Sequence, residues 1–269
     1  MQKKKVTLQK QNVMIMLAAQ RREKIIEMLR EDGHVKVVEL RSLFDVSEVT
    51  IRQDLDSLEK DGVLKRVYGG AVLTDAGSNV RGLTLLNNNN MVAKQAIARE
   101  AVKLIHDGDT IILDSGSTTT EIAKLITGFK NLTVLTNALN IAMILGTQSE
   151  IELAVTGGEF KSPTLSLTGQ KAADFFNGLH ADKLFLATAG INIHSGLTYP
   201  SMSDLVVKRA MIDVSDTVYL VADSTKIGKS SFATLGPLSM ADTIITDNGI
   251  SEVDKQLFEA NNVKFIEAN

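Results

Sequence analysis

The sequence has no cysteine and no tryptophan, and it holds only three prolines among 269 residues. Without cysteine the chain forms no disulfide, carries no thiolate nucleophile and builds no cysteine-ligated zinc or iron–sulfur centre. The four histidines, at positions 34, 106, 180 and 194, also lack the spacing of metal ligands. These absences argue against a redox or metal-centred function, and we expect neither a metal nor a cofactor.

Long apolar runs are missing as well. No stretch approaches the roughly 18 residues that a membrane-spanning helix needs, and no small-residue cleavage site follows the short apolar stretch near the lysine-rich N-terminus. With 44% hydrophobic residues, the chain is nevertheless apolar enough to fold. We therefore expect a cytoplasmic protein with no membrane partner.

Charge is distributed unevenly along the chain. Residues 1–73 carry 14 Lys and Arg against 11 Asp and Glu, whereas the remainder carries 15 against 21. A net charge of +3 therefore precedes one of -6, although the whole chain has only -3. A basic N-terminal part on an acidic body is compatible with nucleic-acid binding by the first part alone.

The N-terminal part has the pattern of three short helices followed by a hairpin. Apolar residues recur at helical spacing from Arg21 to Arg30, then from Val37 to Phe44, then in a third helix that ends near Lys60. Ser47 is a good N-cap for this third helix. The segment 64–72 alternates around a glycine pair, as a short β-hairpin does. The order predicts a winged helix-turn-helix domain.

The outer face of the third helix has the residue types that contact DNA. Thr50 and Gln53 are suited to base edges, and Arg52 beside them can reach a guanine or a phosphate. Asp54, Asp56 and Glu59 would repel phosphate, so we expect them to face away from the duplex, with Asp54 joining the helix to its neighbours. A solvated helix face is the plainer alternative. The candidate DNA-binding residues of the helix and the wing are Ser47, Thr50, Arg52, Gln53, Lys65, Arg66 and Tyr68.

Four regions follow from these patterns: a basic tail over 1–19, the winged helix-turn-helix over 20–75, a polar linker over 76–92 and a second domain over 93–269. The linker contains a run of four asparagines and little apolar periodicity. Beyond it, strands alternate with helices in a βαβαβ order, so the fold class is α/β with a mostly parallel sheet. Strands are predicted at 110–113, 132–135, 151–155, 183–187, 218–221, 243–246 and 264–266.

Ligands of parallel sheets lie at the carboxyl ends of the strands. The first predicted strand is followed by Asp114-Ser115-Gly116-Ser117-Thr118-Thr119, a hydroxyl-rich turn that opens directly into a helix. Such a turn can bind a phosphate through amide N–H groups and the helix dipole, although an ordinary N-cap is the alternative. Asp204 and Lys208 lie one turn apart and could instead form a surface pair. The candidate ligand-binding residues are Asp114, Ser117, Thr118, Thr119, Asn137, Gly157, Gly158, Asp204, Lys208 and Lys226.

These segments resemble the DeoR family of bacterial transcriptional regulators along nearly the whole chain. The N-terminal likeness is carried by the run from Val46 to Leu55 and by Arg66-Val67-Tyr68-Gly69-Gly70-Ala71, and that of the body by the turn after Asp114, by Val207-Lys208-Arg209 and by Asp223-Ser224-Thr225-Lys226. The resemblance implies a sensor domain similar in fold to ribose-5-phosphate isomerase. It also implies a repressor of a sugar-utilisation operon whose inducer is a phosphorylated sugar, with the amino-sugar and hexitol branches closest.

Two other functions remain open at this point. A sugar-phosphate isomerase with an accessory nucleic-acid-binding domain would need a carboxylate base and a proton relay, but no histidine follows any predicted strand and the isomerases' later catalytic motifs are not visible. An RNA-binding module would present aromatic side chains, and the N-terminal domain has only Phe44 and Tyr68. A protein-docking module would show no salt-dependent affinity for operator DNA. Duplex DNA is favoured, with at least a dimer to bind two half-sites.

Overall fold

The computed structural model describes residues 18–32, 34–61, 63–73 and 90–269. Most of the predicted tail and linker lies outside these residues. Gly33 and Gly62, the glycines at which the sequence predicts the first and third helices to end, also lie outside them. The first helix, α1, begins at Ala18, and Met91 and Val92 of the predicted linker belong to a helix. The first helix of the second unit therefore includes two residues that the sequence pattern assigned to the linker.

The N-terminal unit, called the head below, consists of α1 (Ala18–Asp32), β1 (His34–Lys36), α2 (Val37–Phe44), α3 (Glu48–Lys60), β2 (Leu64–Val67) and β3 (Gly70–Leu73). The three helices bury one apolar core, which contains Ile25, Leu29, Leu40, Ile51 and Leu55. The hairpin of β2 and β3 confirms the predicted wing. Strand β1 was not predicted, because three residues are too short to show alternation; it pairs with β3 and gives the order β1-β3-β2.

Close approach of β1 explains the glycine at position 70. A Cβ on Gly70 would lie 2.0 Å from the carbonyl oxygen of Val35, so no other residue fits at this register. Gly69, at the hairpin turn, has φ +80°, and its carbonyl accepts the Val37 amide N–H at 2.9 Å. The glycine pair thus joins the wing to the start of α2.

The second unit, called the body below, is a three-layer α/β structure. Its strands and helices, in chain order, are α4 (Met91–Val102), β4 (Thr110–Leu113), α5 (Ser117–Leu125), β5 (Leu132–Thr136), α6 (Leu139–Leu145), β6 (Ile151–Val155), β7 (Glu159–Lys161), β8 (Ser166–Thr168), α7 (Gln170–Asp174), β9 (Ala181–Ala187), β10 (Gly190–Asn192), β11 (Gly196–Tyr199), α8 (Met202–Asp213), β12 (Ser215–Val221), β13 (Ala233–Gly236), β14 (Thr243–Asp247), α9 (Glu252–Ala260) and β15 (Phe265–Ala268).

Seven of these strands form one sheet in the order β15-β14-β12-β9-β4-β5-β6. Every pairing in it is parallel, which confirms the predicted fold class. Alternate strand residues face opposite layers: Ile111 and Leu113 pack with α4, α5 and α6, whereas Ile112 packs in the core that contains residues of α8 and α9. Because both faces are covered, the central residues of the strands are mostly apolar and buried.

The order in which strands are added to the sheet changes sides at β4. From β4 the chain proceeds to β5 and β6 on one side, and it then returns to add β9, β12, β14 and β15 on the other. The gap between the carboxyl ends of β4 and β9 is therefore the topological switch point, where open α/β sheets bind ligands.

Smaller elements cover this edge of the sheet. Strands β10, β11 and β13 form an antiparallel sheet, and β7 pairs with β8 as a hairpin that encloses the 3-10 helix Ser162–Thr164. The sequence pattern did not predict them, since strands of three or four residues carry too little periodicity. In the part of the chain that the structure describes, no helix is long and apolar enough to cross a bilayer, and no group of three or more His, Asp or Glu side chains is arranged to hold a metal ion.

Candidate functional sites

The start of α3 is fixed by its N-cap. The Thr50 amide N–H donates to Ser47 Oγ at 3.1 Å, and the two hydroxyls lie 2.8 Å apart. This geometry confirms Ser47 as the predicted N-cap, and it positions the Thr50 side chain beside the first turn. Both residues retain exposure to solvent.

Loss of this cap gives a first prediction. Ser47→Ala is expected to lower the free energy of unfolding of the head by about 1 kcal/mol, because the Thr50 amide loses its partner. Ser47→Gly should lower the free energy of unfolding by only a few tenths of a kcal/mol. Chemical denaturation of the three proteins measures the difference, and equal stability of wild type and Ser47→Ala would contradict the capping role.

The next turn of α3 presents Arg52 and Gln53 to solvent. Arg52 Nη2 donates to Glu48 Oε1 at 2.6 Å. An exposed pair of this kind contributes little to stability, so the guanidinium can exchange its carboxylate partner for DNA at small cost. The outer face of the helix therefore has the exposure that base contacts require.

The prediction for this face separates DNA contact from folding. Arg52→Ala is expected to weaken operator binding by about 1 to 3 kcal/mol if the arginine contacts a guanine, while the free energy of unfolding changes by less than about 0.5 kcal/mol. Fluorescence anisotropy at one salt concentration, with Lys60→Ala at the far end of α3 as the control, measures the loss. Operator affinity equal to that of wild type would remove Arg52 from the interface.

The acidic residues of α3 have separate structural roles. Asp54 is buried and accepts a hydrogen bond from Arg21 Nε at 2.5 Å, which confirms that it joins α3 to a neighbouring helix. Glu59 accepts the backbone N–H of Arg66 at 2.7 Å, and Asp56 accepts from the Arg66 guanidinium. These two carboxylates hold the wing strand β2 against α3, so Arg66 is engaged within the protein.

The tip of the wing is its most accessible part. The side chain of Tyr68 is fully exposed, and Lys65 is exposed on β2. All seven candidate DNA-binding residues thus lie on α3, its cap or the wing, and none is buried.

In the body, a cavity of about 130 Å³ lies at the switch point. It opens where β4, β9 and β12 end, and five of the ten candidate ligand-binding residues line it. These five are Ser117, Thr118, Asp204, Lys208 and Lys226.

The first turn of α5 forms one wall of the cavity. Amide N–H groups at a helix start have no partner within the helix, and the helix dipole adds a partial positive charge there. Gly116 allows the turn to pass close to β9, because a Cβ at this position would lie 2.7 Å from the Ala187 side chain. The wall therefore has the chemistry that an anion site requires.

Five candidates do not line the cavity. The Thr119 hydroxyl is buried and donates to the Gly116 carbonyl at 2.9 Å, so it shapes the turn. Asn137 is buried and donates through Nδ2 to the Leu167 carbonyl at 3.1 Å. Gly158 has φ +124°, and a Cβ there would lie 2.6 Å from the Thr168 carbonyl oxygen. The five residues outside the lining are Asp114, Thr119, Asn137, Gly157 and Gly158.

Asp114 lies directly behind the cavity and holds Lys208 in it. Asp114 is fully buried, and its Oδ2 accepts from Lys208 Nζ at 2.5 Å and from the Ala187 amide at 3.0 Å. Burial raises the pKa of Asp114 above its ordinary value, while the Lys208 ammonium acts to lower it. The carboxylate thus joins β4, β9 and α8 at the switch point.

Asp204 pairs with a lysine from another element. Its Oδ2 accepts from Lys161 Nζ of β7 at 2.9 Å, and both side chains are largely buried. The surface pair between Asp204 and Lys208, one alternative from the sequence, does not form, because Lys208 turns inward to Asp114. Helix α8 is therefore tied to β7 by the pair of Asp204 with Lys161, and to the end of β4 by the pair of Lys208 with Asp114.

The lining residues that the sequence analysis did not identify include three with polar or charged side chains, Lys94, Lys161 and Tyr199. Lys94 is buried on α4, far from any strand end in sequence. The Tyr199 hydroxyl donates to the Ala187 carbonyl at 2.8 Å, and Lys208 Nζ lies 4.8 Å from the centre of its ring. Burial raises the pKa of Tyr199 well above its ordinary value, and the nearby Asp114 adds to the shift. No local pattern marks these residues, since tertiary packing alone brings them together.

Family models match both units. Residues 21–76 match the DeoR-like helix-turn-helix domain, and residues 89–248 match the DeoR C terminal sensor domain. The chain belongs to the DeoR family. This DeoR-family protein is a DNA-binding transcriptional regulator rather than an enzyme, because its relatives are named as regulators and repressors.

Two relatives and one solved structure illustrate the similarity. The chain is 36% identical to the putative aga operon transcriptional repressor of Escherichia coli O157:H7, over 86% of this chain and 87% of the relative. It is 32% identical to the glycerol-3-phosphate regulon repressor of Escherichia coli K12, over 86% and 92%. A ribose 5-phosphate isomerase from Methanocaldococcus jannaschii matches with a TM-score of 0.37 and 17% identity, over 52% of this chain and 55% of that one.

Proposed function

We propose that this DeoR-family regulator represses a carbohydrate-utilisation operon and leaves its operator when a phosphorylated sugar binds in the body. The observation that carries the proposal is the cavity at the switch point, where a helix start and four lysines face one space. The lysines are Lys94, Lys161, Lys208 and Lys226.

The charge balance of the cavity favours an anion of low charge. Asp204 and Asp223 also line it, and Asp114 lies behind it. Four lysines against three aspartates leave one net positive charge, to which the α5 dipole adds. A phosphate monoester is neutralised in part by such a site, and the carboxylates can accept hydrogen bonds from the hydroxyls of a sugar.

The named relatives support the same ligand class. One is a putative repressor of an aga operon and another a repressor of a glycerol-3-phosphate regulon. Phosphate esters are therefore the first compounds to test, together with those of the amino-sugar and hexitol branches that the sequence resembles. We assign Ser117, Thr118, Lys208 and Lys226 to direct contact with the ligand and Asp204 to its hydroxyls. Asp114 is a positioning residue for Lys208, and Thr119, Asn137 and Gly158 shape the surrounding loops.

On the DNA side, we propose that α3 enters the major groove and that the wing contacts the neighbouring backbone. Thr50, Arg52 and Gln53 would contact base edges, while Lys65, Arg66 and Tyr68 would contact the sugar-phosphate backbone. One head spans a half-site, so we propose a dimer or a larger oligomer that binds two half-sites.

A thermal-shift panel tests the ligand assignment. It compares the phosphate monoesters of N-acetylgalactosamine, galactitol and glycerol with the free compounds and with inorganic phosphate. A ligand at one hundred times its Kd stabilises the folded protein by about 2.7 kcal/mol, which raises the Tm of a domain of this size by about 5 to 10 °C. We expect such a shift with at least one monoester and none with its free counterpart. Equal shifts with ester and free sugar would overturn the phosphate assignment.

A further inference from the structure

The head and the body meet along two clefts beside the ligand cavity. The first cleft is lined from the head by Lys24, Met28 and Leu43 and from the body by residues that include Phe232. The second is lined by α1, β1 and α2 on one side and by β7, the 3-10 helix after it and the start of α8 on the other. We call these together the junction clefts.

Apolar side chains are concentrated at the junction clefts. Phe232 and Phe160 remain 56% and 55% exposed, and Met202 and Leu43 are exposed as well. Exposed apolar groups that gather in one place mark a contact surface. Here the head of the same chain already lies against them, so these residues form a contact between head and body that is incompletely buried.

The ligand cavity and the junction clefts share wall residues. Ala189 and Lys226 line both the cavity and the first cleft, while Lys161 and Pro200 line both the cavity and the second. A single layer of residues therefore separates a bound ligand from the head. Two of these four residues are lysines, which an anion in the cavity would attract directly.

Lys161 connects the two spaces most closely. It pairs with Asp204 at 2.9 Å, and its chain neighbours Phe160 and Ser162 line the second cleft opposite Met28 of α1. An anion that competes with Asp204 for the Lys161 ammonium would shift β7 and the 3-10 helix, and so the surface against which α1 packs. The contact and the ligand site thus depend on the position of one side chain.

The junction clefts are lined by residues other than those of the candidate DNA-binding face. None of the seven candidate DNA-binding residues lines either cleft, and all of them keep solvent exposure while the head lies against the body. The docked arrangement is therefore compatible with DNA binding, and it fixes the direction in which each head presents α3.

We infer that this contact between head and body, formed around Phe232, Phe160 and Met28, transmits ligand occupancy to the DNA-binding head through the shared wall at Lys161, Ala189 and Lys226. The inference rests on the proposed function, in which a phosphorylated sugar releases the operator. In the docked arrangement the head lies against the body, and in the undocked arrangement it has left the junction clefts. The ligand weakens operator binding because it binds the undocked arrangement more tightly than the docked one. By reciprocity, operator binding weakens the affinity for the ligand by the same factor.

The test measures the ratio of operator Kd with and without a saturating phosphate monoester, using whichever compound of the thermal-shift panel gives the largest shift. We expect a ratio of about 10 or more for wild type, within the usual range of allosteric coupling. Phe232→Asp places a charge in both junction clefts, and Phe232 lines neither the ligand cavity nor the DNA-binding face. This variant should bind the monoester at least as tightly as wild type, bind the operator less tightly, and give a ratio close to 1.

Two controls distinguish the contact from other routes. Val253→Asp adds the same charge at an exposed apolar position on α9 and should leave the ratio unchanged. Insertion of a flexible Gly-Ser segment between Val80 and Arg81 should also leave most of the change in operator Kd that the monoester causes. The proposed contact forms directly between head and body, so it does not require a linker of fixed length. An unchanged ratio in Phe232→Asp, or a response abolished by the insertion alone, would overturn the inference. Failure of every monoester to bind wild type would overturn the proposed function itself.

Discussion

Replacing Lys208 by Met is expected to lower the free energy of unfolding by about 3 to 5 kcal/mol, the usual cost of removing one partner of a buried ion pair. Asp114 is fully buried, and Lys208 supplies its hydrogen bond at 2.5 Å. Without the ammonium, the Ala187 amide remains as a donor at 3.0 Å. One amide hydrogen bond does not offset the burial of a charge, so the body loses stability although Met fills much of the space.

The pH dependence of this loss has a definite sign. Burial already raises the pKa of Asp114 in the folded protein, and Lys208 limits that rise. The folded state therefore binds a proton more tightly than the unfolded chain, and stability falls as pH rises through the folded pKa. Removing Lys208 raises this pKa further, so the destabilisation should be largest near neutral pH and smaller in mildly acidic solution, because protonation of Asp114 removes the unpaired buried charge. Urea unfolding at a neutral and a mildly acidic pH measures the difference.

A double variant provides the control. Asp114→Asn combined with Lys208→Met removes both charges, and it should be less destabilised than the sum of the two single variants because no buried charge is left without a partner. A destabilisation of Lys208→Met that is the same at both pH values, or additive single effects, would contradict a coupled buried pair.

Filling the helix start with a larger side chain should produce a repressor that no longer responds to its ligand. Thr118 is buried and lines the cavity at the first turn of α5, so Thr118→Tyr is expected to occupy the anion position. We expect at least a tenfold loss of affinity for the phosphate monoester, about 1.4 kcal/mol or more, with operator affinity unchanged. Thr118→Ser keeps the hydroxyl and should retain the response.

Ser117→Leu gives a second variant at the same wall, since Ser117 is only partly buried and tolerates a change of size more readily. Thermal unfolding establishes that each variant is folded before its ligand affinity is measured. Release of DNA at the wild-type ligand concentration in both variants would show that the phosphate does not bind at the start of α5.

The parallel sheet was predictable because its strands are buried on both faces. The predicted strand 151–155 coincides with β6, and 110–113 coincides with β4. Strands β9 and β12 were predicted too short. The sequence pattern predicted a strand over 218–221, whereas β12 spans Ser215–Val221. The first residues of β12, from Ser215 to Thr217, are polar and keep some exposure to solvent, so hydrophobicity alone does not mark where this strand begins. The small strands β7, β8, β10, β11 and β13 left no signal, because three or four residues are too few to show an alternating pattern.

The lining of the switch-point cavity could be predicted where chain order determines the position of a side chain. Ser117 and Thr118 follow the first strand of the sheet, and parallel strands place their carboxyl ends together. Hydroxyl content alone did not show where each side chain points: Thr119 lies in the same run but donates to the Gly116 carbonyl. Lys161 comes from the β7 hairpin, whose fold over the strand ends no local pattern specifies. The partners of Asp204 and Lys208 were therefore beyond sequence reasoning as well.

The measurement that tests the central claim most directly is operator binding titrated with a phosphate monoester, compared between wild type and Thr118→Tyr. The operator is first obtained by selection from random duplex DNA with the purified protein. The account predicts that the monoester, but not its free sugar, weakens operator binding by wild type about tenfold or more, and that Thr118→Tyr binds the same operator without responding. Release of wild type by the free sugar, or release of both proteins at the same monoester concentration, would contradict the account.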